Sequence, residues 1–102
     1  MIGLVRGMAL ELAPQRIRIN SVYPTAVNIA MIFNEALYKA FRPDLDNPTL
    51  DDVTPVFETL NVLPVPWIEC ADVTAAVAWL ASDEARYVTG VTLPADAGFA
   101  LK

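Results

Sequence analysis

Apolar residues recur at helical spacing in several stretches and at alternate positions in others, which predicts an α/β chain. Ile2, Val5, Met8, Ala9 and Leu12 form one stripe over residues 1–13, so a helix is expected there, ended by Pro14. Gly3 and Gly7 lie four residues apart on a different side of it. Each costs a helix about 1 kcal/mol against Ala. Either they give a smooth face for a neighbouring backbone or they mark a weak helix start. Ile17 to Tyr23 alternates at period two and is rich in β-branched residues, which predicts a strand stopped by Pro24.

The spacing of Ile29, Ile32, Phe33, Ala36, Leu37, Ala40 and Phe41 predicts a helix over 28–42, with Glu35 and Lys39 paired on its other face and Pro43 at its end. A turn-rich loop, Arg42 to Thr49, follows. Thr49 and Asp52 have the spacing of a capping box. Pro55 lacks the N–H that a helix interior needs, so a short turn and a restart are expected, with Thr54 as cap, Pro55 at the first position and Val56, Phe57 and Leu60 on the apolar face. Residues 62–68 are apolar but hold Pro64 and Pro66, so they read as an extended segment over a surface or pocket and not as a central strand. A further helix is expected over 72–82, with Val73, Ala76, Val77, Leu80 and Ala81 on its face. Val88 to Ala95 reads as a second strand, kept at or near a sheet edge by Pro94.

Two strands joined through helices predict parallel pairing with a right-handed crossover. Two strands alone are not a stable sheet. The 17–23 strand is core-like and calls for a partner on each side, yet only one other strand is present. The expectation is an open edge that self-associates, with a neighbour encoded ahead of Met1.

Composition narrows the function. Hydrophobic residues make up 55% of 102 residues, which excludes disorder of the whole chain. A lone domain of this size buries only roughly 60–65% of its unfolded surface, so so apolar a chain points to part of a larger body or to an oligomer. The net charge is −5, from 12 acidic and 7 basic residues. With no basic patch, nucleic acid and anionic membrane are not expected partners. No uncharged apolar run reaches membrane-spanning length and no signal sequence stands out, so a cytoplasmic location is expected. Cys70 is the one cysteine and there is no His. A Cys–His nucleophile pair and the usual zinc sites are therefore ruled out, and Cys70 reads as structural. Asp44, Asp46, Asp51 and Asp52 lack the ligand order and glycine of a calcium loop and read as solvated; no metal site is expected.

Four blocks, read in order, resemble one family. They are Gly3-Leu4-Val5-Arg6 with Ala9-Leu10-Glu11-Leu12-Ala13-Pro14; Ile17-Arg18-Ile19-Asn20-Ser21-Val22-Tyr23-Pro24; Asp72-Val73 with Trp79-Leu80-Ala81-Ser82-Asp83-Glu84-Ala85-Arg86-Tyr87-Val88-Thr89-Gly90; and Asp96-Ala97-Gly98. They resemble the C-terminal part of short-chain dehydrogenases/reductases. Pro24-Thr25-Ala26-Val27-Asn28, with Asn34-Glu35 and Arg42-Pro43-Asp44-Leu45, is similar to their carveol-dehydrogenase-like, mycofactocin-coupled branch.

The resemblance implies the C-terminal portion of a Rossmann-type doubly wound parallel sheet: two parallel strands, helices, and a small helical substrate lobe at 28–67 within one partial domain, 1–102. It implies an NAD-dependent alcohol/carbonyl oxidoreductase, with NADP left open. In the family a Tyr and a Lys, spaced Tyr-x-x-x-Lys, and a Ser carry the chemistry, and a Gly-rich loop holds the cofactor phosphates. None can be placed in this sequence, and the Lys would fall a few residues before Met1. The chain alone is thus expected to be catalytically incompetent, with no catalytic residue of its own. The alternatives are a non-catalytic remnant or assembly module using the Gly3/Gly7 face, and an apolar-ligand binder.

What the resemblance does assign is a rim. Pro24, Thr25, Val27 and Ile29 match the segment that contacts the nicotinamide end of the cofactor, with Val27 offering backbone groups to the carboxamide. Thr25 stands where the family usually has Gly, as a Thr does in the branch just named, and Ile29 where it has Thr, which removes a hydroxyl. Ile29 also reads simply as the start of an apolar helix face. Met31, Ile32, Phe33, Leu37 and Trp67, with Tyr38 and Phe57 nearby, would cover an apolar alcohol or ketone, or else pack the lobe itself. Tyr38 falls on the polar side of its helix and reads as a solvent-facing or lid residue.

Overall fold

The computed structural model describes residues 1–102. Six regular elements follow one another: α1 (Ile2–Leu12), β1 (Ser21–Pro24), α2 (Glu35–Phe41), α3 (Leu50–Leu60), α4 (Cys70–Ala81) and β2 (Thr92–Ala95), with 3₁₀ turns at 13–15, 30–32, 83–85 and 99–101. The chain divides into two compact units, residues 1–23 with 71–95 and residues 24–70 with 96–102.

In the first unit, α1 forms as its spacing predicts but covers only part of its stripe: Val5 and Ala9 are buried and Leu12 half-buried, whereas Ile2 and Met8 are exposed, as are Leu4 and Leu10 outside it. A methyl group at Gly3 or Gly7 would meet no atom of this chain within 4 Å, so no backbone of the chain itself lies on that face. β1 and β2 form a two-stranded sheet. Gly90 N–H donates to Ile19 O and Ser21 N–H to Val91 O; the pairing advances the same way along both strands, which makes them parallel. Both strands are shorter than the alternation predicts. Gly90 has φ +75°, which turns the 88–91 segment out of extended register. Side chains take over the ladder there. Ile19 N–H donates to Thr89 Oγ1, Val91 N–H to Asn20 Oδ1, and Asn20 Nδ2 to Val88 O. The Arg18 guanidinium donates to Leu80 O at 2.7 Å and Val88 O at 3.3 Å, satisfying a carbonyl in the last turn of α4. Leu80 is buried in that helix while Val77 is exposed, so the predicted face is narrower than its pattern. Ile17 and Tyr23 are 45% and 47% exposed; the core-like strand has a wet side in this chain.

In the second unit, the long helix expected over 28–42 is broken. Asn34 caps α2, its Oδ1 accepting from Leu37 N–H at 2.8 Å while its Nδ2 donates to Met31 O. A side chain bonding both neighbours outcompetes helical continuity, and Ile29 is extended, with φ −138°. The apolar stripe thus belongs to two elements. At α3 the capping box forms as expected, with Thr49 N–H donating to Asp52 Oδ2 at 2.8 Å. The restart at Pro55 does not occur: α3 runs through the proline. Pro55 sits on the exposed side, and so does Asp51, whose carbonyl loses the helical N–H partner a proline cannot supply. Val53 and Phe57, 0% and 3% exposed, hold the helix on either side of it. α2 packs against α3. α4 begins two residues earlier than its pattern, at Cys70. No helix is long and apolar enough to cross a membrane.

Candidate functional site

The loop after β1, residues 24–29, is built by three contacts within the second unit. Thr25 Oγ lies 2.8 Å from Asn61 Oδ1, and Asn61 Nδ2 donates to Val65 O at 2.7 Å. A backbone carbonyl only accepts, so the amide nitrogen of Asn61 must face Val65. Its oxygen then faces Thr25, whose hydroxyl must donate. Asn61 is 3% exposed and follows directly on α3, so a buried amide is satisfied on both ends.

Val27 forms an isolated parallel bridge with Ile68. Ile68 N–H donates to Ala26 O and Asn28 N–H to Ile68 O, both at 2.9 Å. Peptide groups alternate sides along an extended chain, so the N–H and C=O of Val27 itself face away from Ile68. Ile29 N–H reaches back to Val27 O at 2.7 Å, a three-residue turn that leaves the oxygen its second lone pair. Asn28 Nδ2 donates to both carboxylate oxygens of Glu69, at 3.2 and 3.0 Å. Ile29 is 39% exposed.

Beside this loop the aromatic residues gather. Phe33 and Trp67 meet edge to face at 5.3 Å between centroids and Phe57 and Trp67 at 6.0 Å, while Phe41 and Phe57 lie tilted at 4.8 Å. Phe33 and Trp67 therefore pack the lobe with their rings, each half-buried. Ile32, Leu37 and Tyr38 are half-buried too, whereas Met31 is 76% exposed. The acidic loop is engaged. Arg42 holds Asp44 in a salt bridge at 3.0 Å and keeps its carboxyl below the usual range by hydrogen bonding. The Thr49 N–H, and then its hydroxyl, does the same for Asp52. No three acidic, His or Cys side chains converge as a metal-ligand set.

Sequence reasoning missed Asn61 and, although it quoted Asp96 within a family block, gave that residue no role. Asn61 is polar between Leu60 and Val62, and that interruption was the available signal. Asp96 is 7% exposed, and its carboxylate accepts from Gly98 N–H and Ala100 N–H at 3.0 and 2.9 Å. The turn it builds presents Ala97 O to both Val62 N–H and Leu63 N–H, at 2.9 and 3.0 Å.

A family model described as enoyl-(acyl carrier protein) reductase matches residues 1–100. The (−)-trans-carveol dehydrogenase of Rhodococcus erythropolis is 52% identical over 102 residues, 100% of this chain and 37% of its own. The structure of carveol dehydrogenase from Mycobacterium avium in complex with NAD matches at TM-score 0.95 and 52% identity, covering 99% of this chain and 36% of that one. A short chain dehydrogenase family protein from Francisella tularensis subsp. tularensis SCHU S4 matches at TM-score 0.84 and 23% identity, over 99% of this chain and 40% of that one, and so shares the fold. The chain spans little more than a third of the length of the proteins it matches.

Proposed function

Because the chain belongs to the short-chain dehydrogenase/reductase family, we propose that it supplies the nicotinamide-side rim and the substrate lobe of an NAD-dependent alcohol/carbonyl oxidoreductase. The observation that carries this reading is the direction of the Val27 peptide groups. A primary carboxamide presents N–H donors and one C=O acceptor. The Val27 C=O and N–H, both turned from Ile68 by the parallel bridge, are the complementary pair, so the residues present fit this end of NAD or NADP. When bound, the nicotinamide accepts or delivers hydride. Pro24 ends β1 and sets where the loop departs. Thr25, its proton engaged by Asn61, acts by shape and through its remaining acceptor capacity. Ile29 offers an apolar contact at this rim. Met31, with Ile32, Phe33, Leu37 and Trp67 behind or beside it, faces an apolar alcohol or ketone of the class that carveol represents.

No side chain of the rim is placed to move a proton to or from a substrate oxygen, so turnover depends on the family's Tyr, Lys and Ser, which this sequence does not supply. The purified 102-residue chain is expected to give no heat with NAD in calorimetry and no alcohol-dependent NADH. Exchanging it for the matching third of the Rhodococcus erythropolis enzyme, to which it is 52% identical, is expected to leave a folded chimera that oxidises carveol with NAD. A folded but inactive chimera refutes the rim and lobe assignment, and turnover by the isolated chain refutes the dependence on outside residues.

A second reading, an assembly module, is favoured by two observations. Met1 at the N-cap of α1 and Leu4, Met8 and Leu10 on it are 88%, 63%, 39% and 79% exposed, and β1 has a neighbour on one side only. Self-association of the purified chain through these surfaces is expected on size exclusion with light scattering; a monomer at every concentration counts against it.

A further inference from the structure

We infer that Asn61 is a positioning residue for the cofactor rim: through the Thr25 hydroxyl it fixes the 24–29 loop so that Val27 stays in register with Ile68. The inference rests on the reading of Val27 given above and adds a residue which that reading does not contain.

Thr25 and Asn61 are 36 positions apart, on separate segments that the Val27–Ile68 bridge must hold together. That bridge has only two hydrogen bonds and is not part of a longer ladder. An isolated pair of such bonds opens readily unless something else fixes its strands. The Thr25–Asn61 bond lies two residues before Val27 and links its loop to the base of the Val62–Ile68 segment.

Asn61 is itself held from two sides. Its Nδ2 bonds Val65 O at 2.7 Å, which shapes the proline-rich turn leading to Ile68. The next two residues, Val62 and Leu63, both donate to Ala97 O, in the turn that the buried Asp96 carboxylate organises. The amide oxygen therefore points at Thr25 from a fixed base. Only a hydroxyl at position 25 reaches it as a donor. A glycine there, as the resemblance implies for the family at large though not for this branch, would leave a buried acceptor without a partner.

The test compares Thr25→Val, Thr25→Ser and Asn61→Ala with the parent 102-residue chain by amide hydrogen exchange, with far-UV circular dichroism to monitor folding. In Thr25→Val and Asn61→Ala the Asn28 and Ile68 amides are expected to lose about tenfold or more of their protection, while the α3 amides keep theirs. Thr25→Ser is expected to restore it. Unchanged Asn28 and Ile68 protection in Thr25→Val overturns the inference. So does a uniform loss across α3 that Thr25→Ser fails to rescue, since that marks general destabilisation. In the Rhodococcus chimera, Thr25→Val is expected to raise KM for NAD about tenfold with kcat little changed. If protection is lost locally while KM holds, the clamp stands and the cofactor reading of Val27 is refuted.

Discussion

Gly98 lies directly against Val62: a Cβ built on Gly98 would come within 2.6 Å of the Val62 Cβ. Gly98 also has φ +83°, in the left-handed region where a side chain costs about 1–2 kcal/mol. Position 98 thus rejects any other residue twice, once for its backbone angle and once for the space it would fill.

Gly98→Ala is therefore expected to destabilise the unit formed by residues 24–70 and 96–102 by about 2–4 kcal/mol, adding the overpacking cost to the angular one. A urea titration followed by Trp67 fluorescence measures it. Since Val62 and Leu63 both hang on Ala97 O, the loss extends to the segment that carries Asn61. A change below about 0.5 kcal/mol is incompatible with the close contact.

Phe57 is the hinge of the aromatic cluster, touching Trp67 and Phe41 while 3% exposed. Phe57→Ala is expected to cost about 3–5 kcal/mol and to shift Trp67 emission to the red as water reaches the indole. Met31→Ala, at a residue 76% exposed, is expected to stay within about 0.5 kcal/mol. In the chimera it should instead raise KM for an apolar alcohol. The pair of substitutions separates packing residues from substrate-facing ones, which periodicity alone did not do.

Much of this architecture was legible because each element carries its own local signal. The Ile2–Leu12 stripe, the Thr49–Asp52 box and the alternation around Ser21–Tyr23 all appear as helix, cap and strand. The misreadings share a cause: a nearby competitor that periodicity does not weigh. Asn34 had the composition of a helix interior position but the chemistry of a cap, and its two hydrogen bonds split the 28–42 stripe. Pro55 looked like a start signal, yet burial of Val53 and Phe57 outweighs one missing hydrogen bond. Gly90, inside the stretch expected to be strand, turns the chain with φ +75° and shortens both strands. At the rim, Pro24, Thr25, Val27 and Ile29 could be named from resemblance. The partner that orders them, Asn61, lies 36 residues beyond Thr25, and no local pattern joins the two.

The acidic loop gives a pH dependence with a definite sign. Asp52 is held below its ordinary value of 3.8 by the Thr49 N–H and then the Thr49 hydroxyl, and Asp44 by its hydrogen bond from Arg42. A carboxyl whose folded pKa is depressed favours the folded state above its unfolded value, and that contribution is lost as pH falls through the folded pKa. The melting temperature of the lobe should therefore fall with acidification below 3.8. Asp52→Asn removes one of the two groups, so its melting temperature should vary less with pH over that range. Equal slopes for the parent and the variant would contradict the role given to the Thr49–Asp52 box.

Ile29 offers the most direct reading of the rim by gain of function. Its N–H reaches Val27 O at 2.7 Å, so its Cα is fixed relative to the peptide groups assigned to the carboxamide. Its side chain is 39% exposed in extended backbone, a conformation that suits a β-branched Thr equally well. Ile29→Thr is thus expected to leave the fold intact and to restore a hydroxyl where the family resemblance places one. A hydrogen bond of about 1 kcal/mol corresponds to roughly fivefold tighter NAD binding in the chimera, read as a lower KM for NAD at constant kcat. The circular dichroism spectrum should not change. If KM for NAD rises instead, with the fold unchanged, Ile29 contributes apolar contact that a hydroxyl cannot replace. The 24–29 loop would then meet its ligand through surface fit and not through the polar pattern of its relatives.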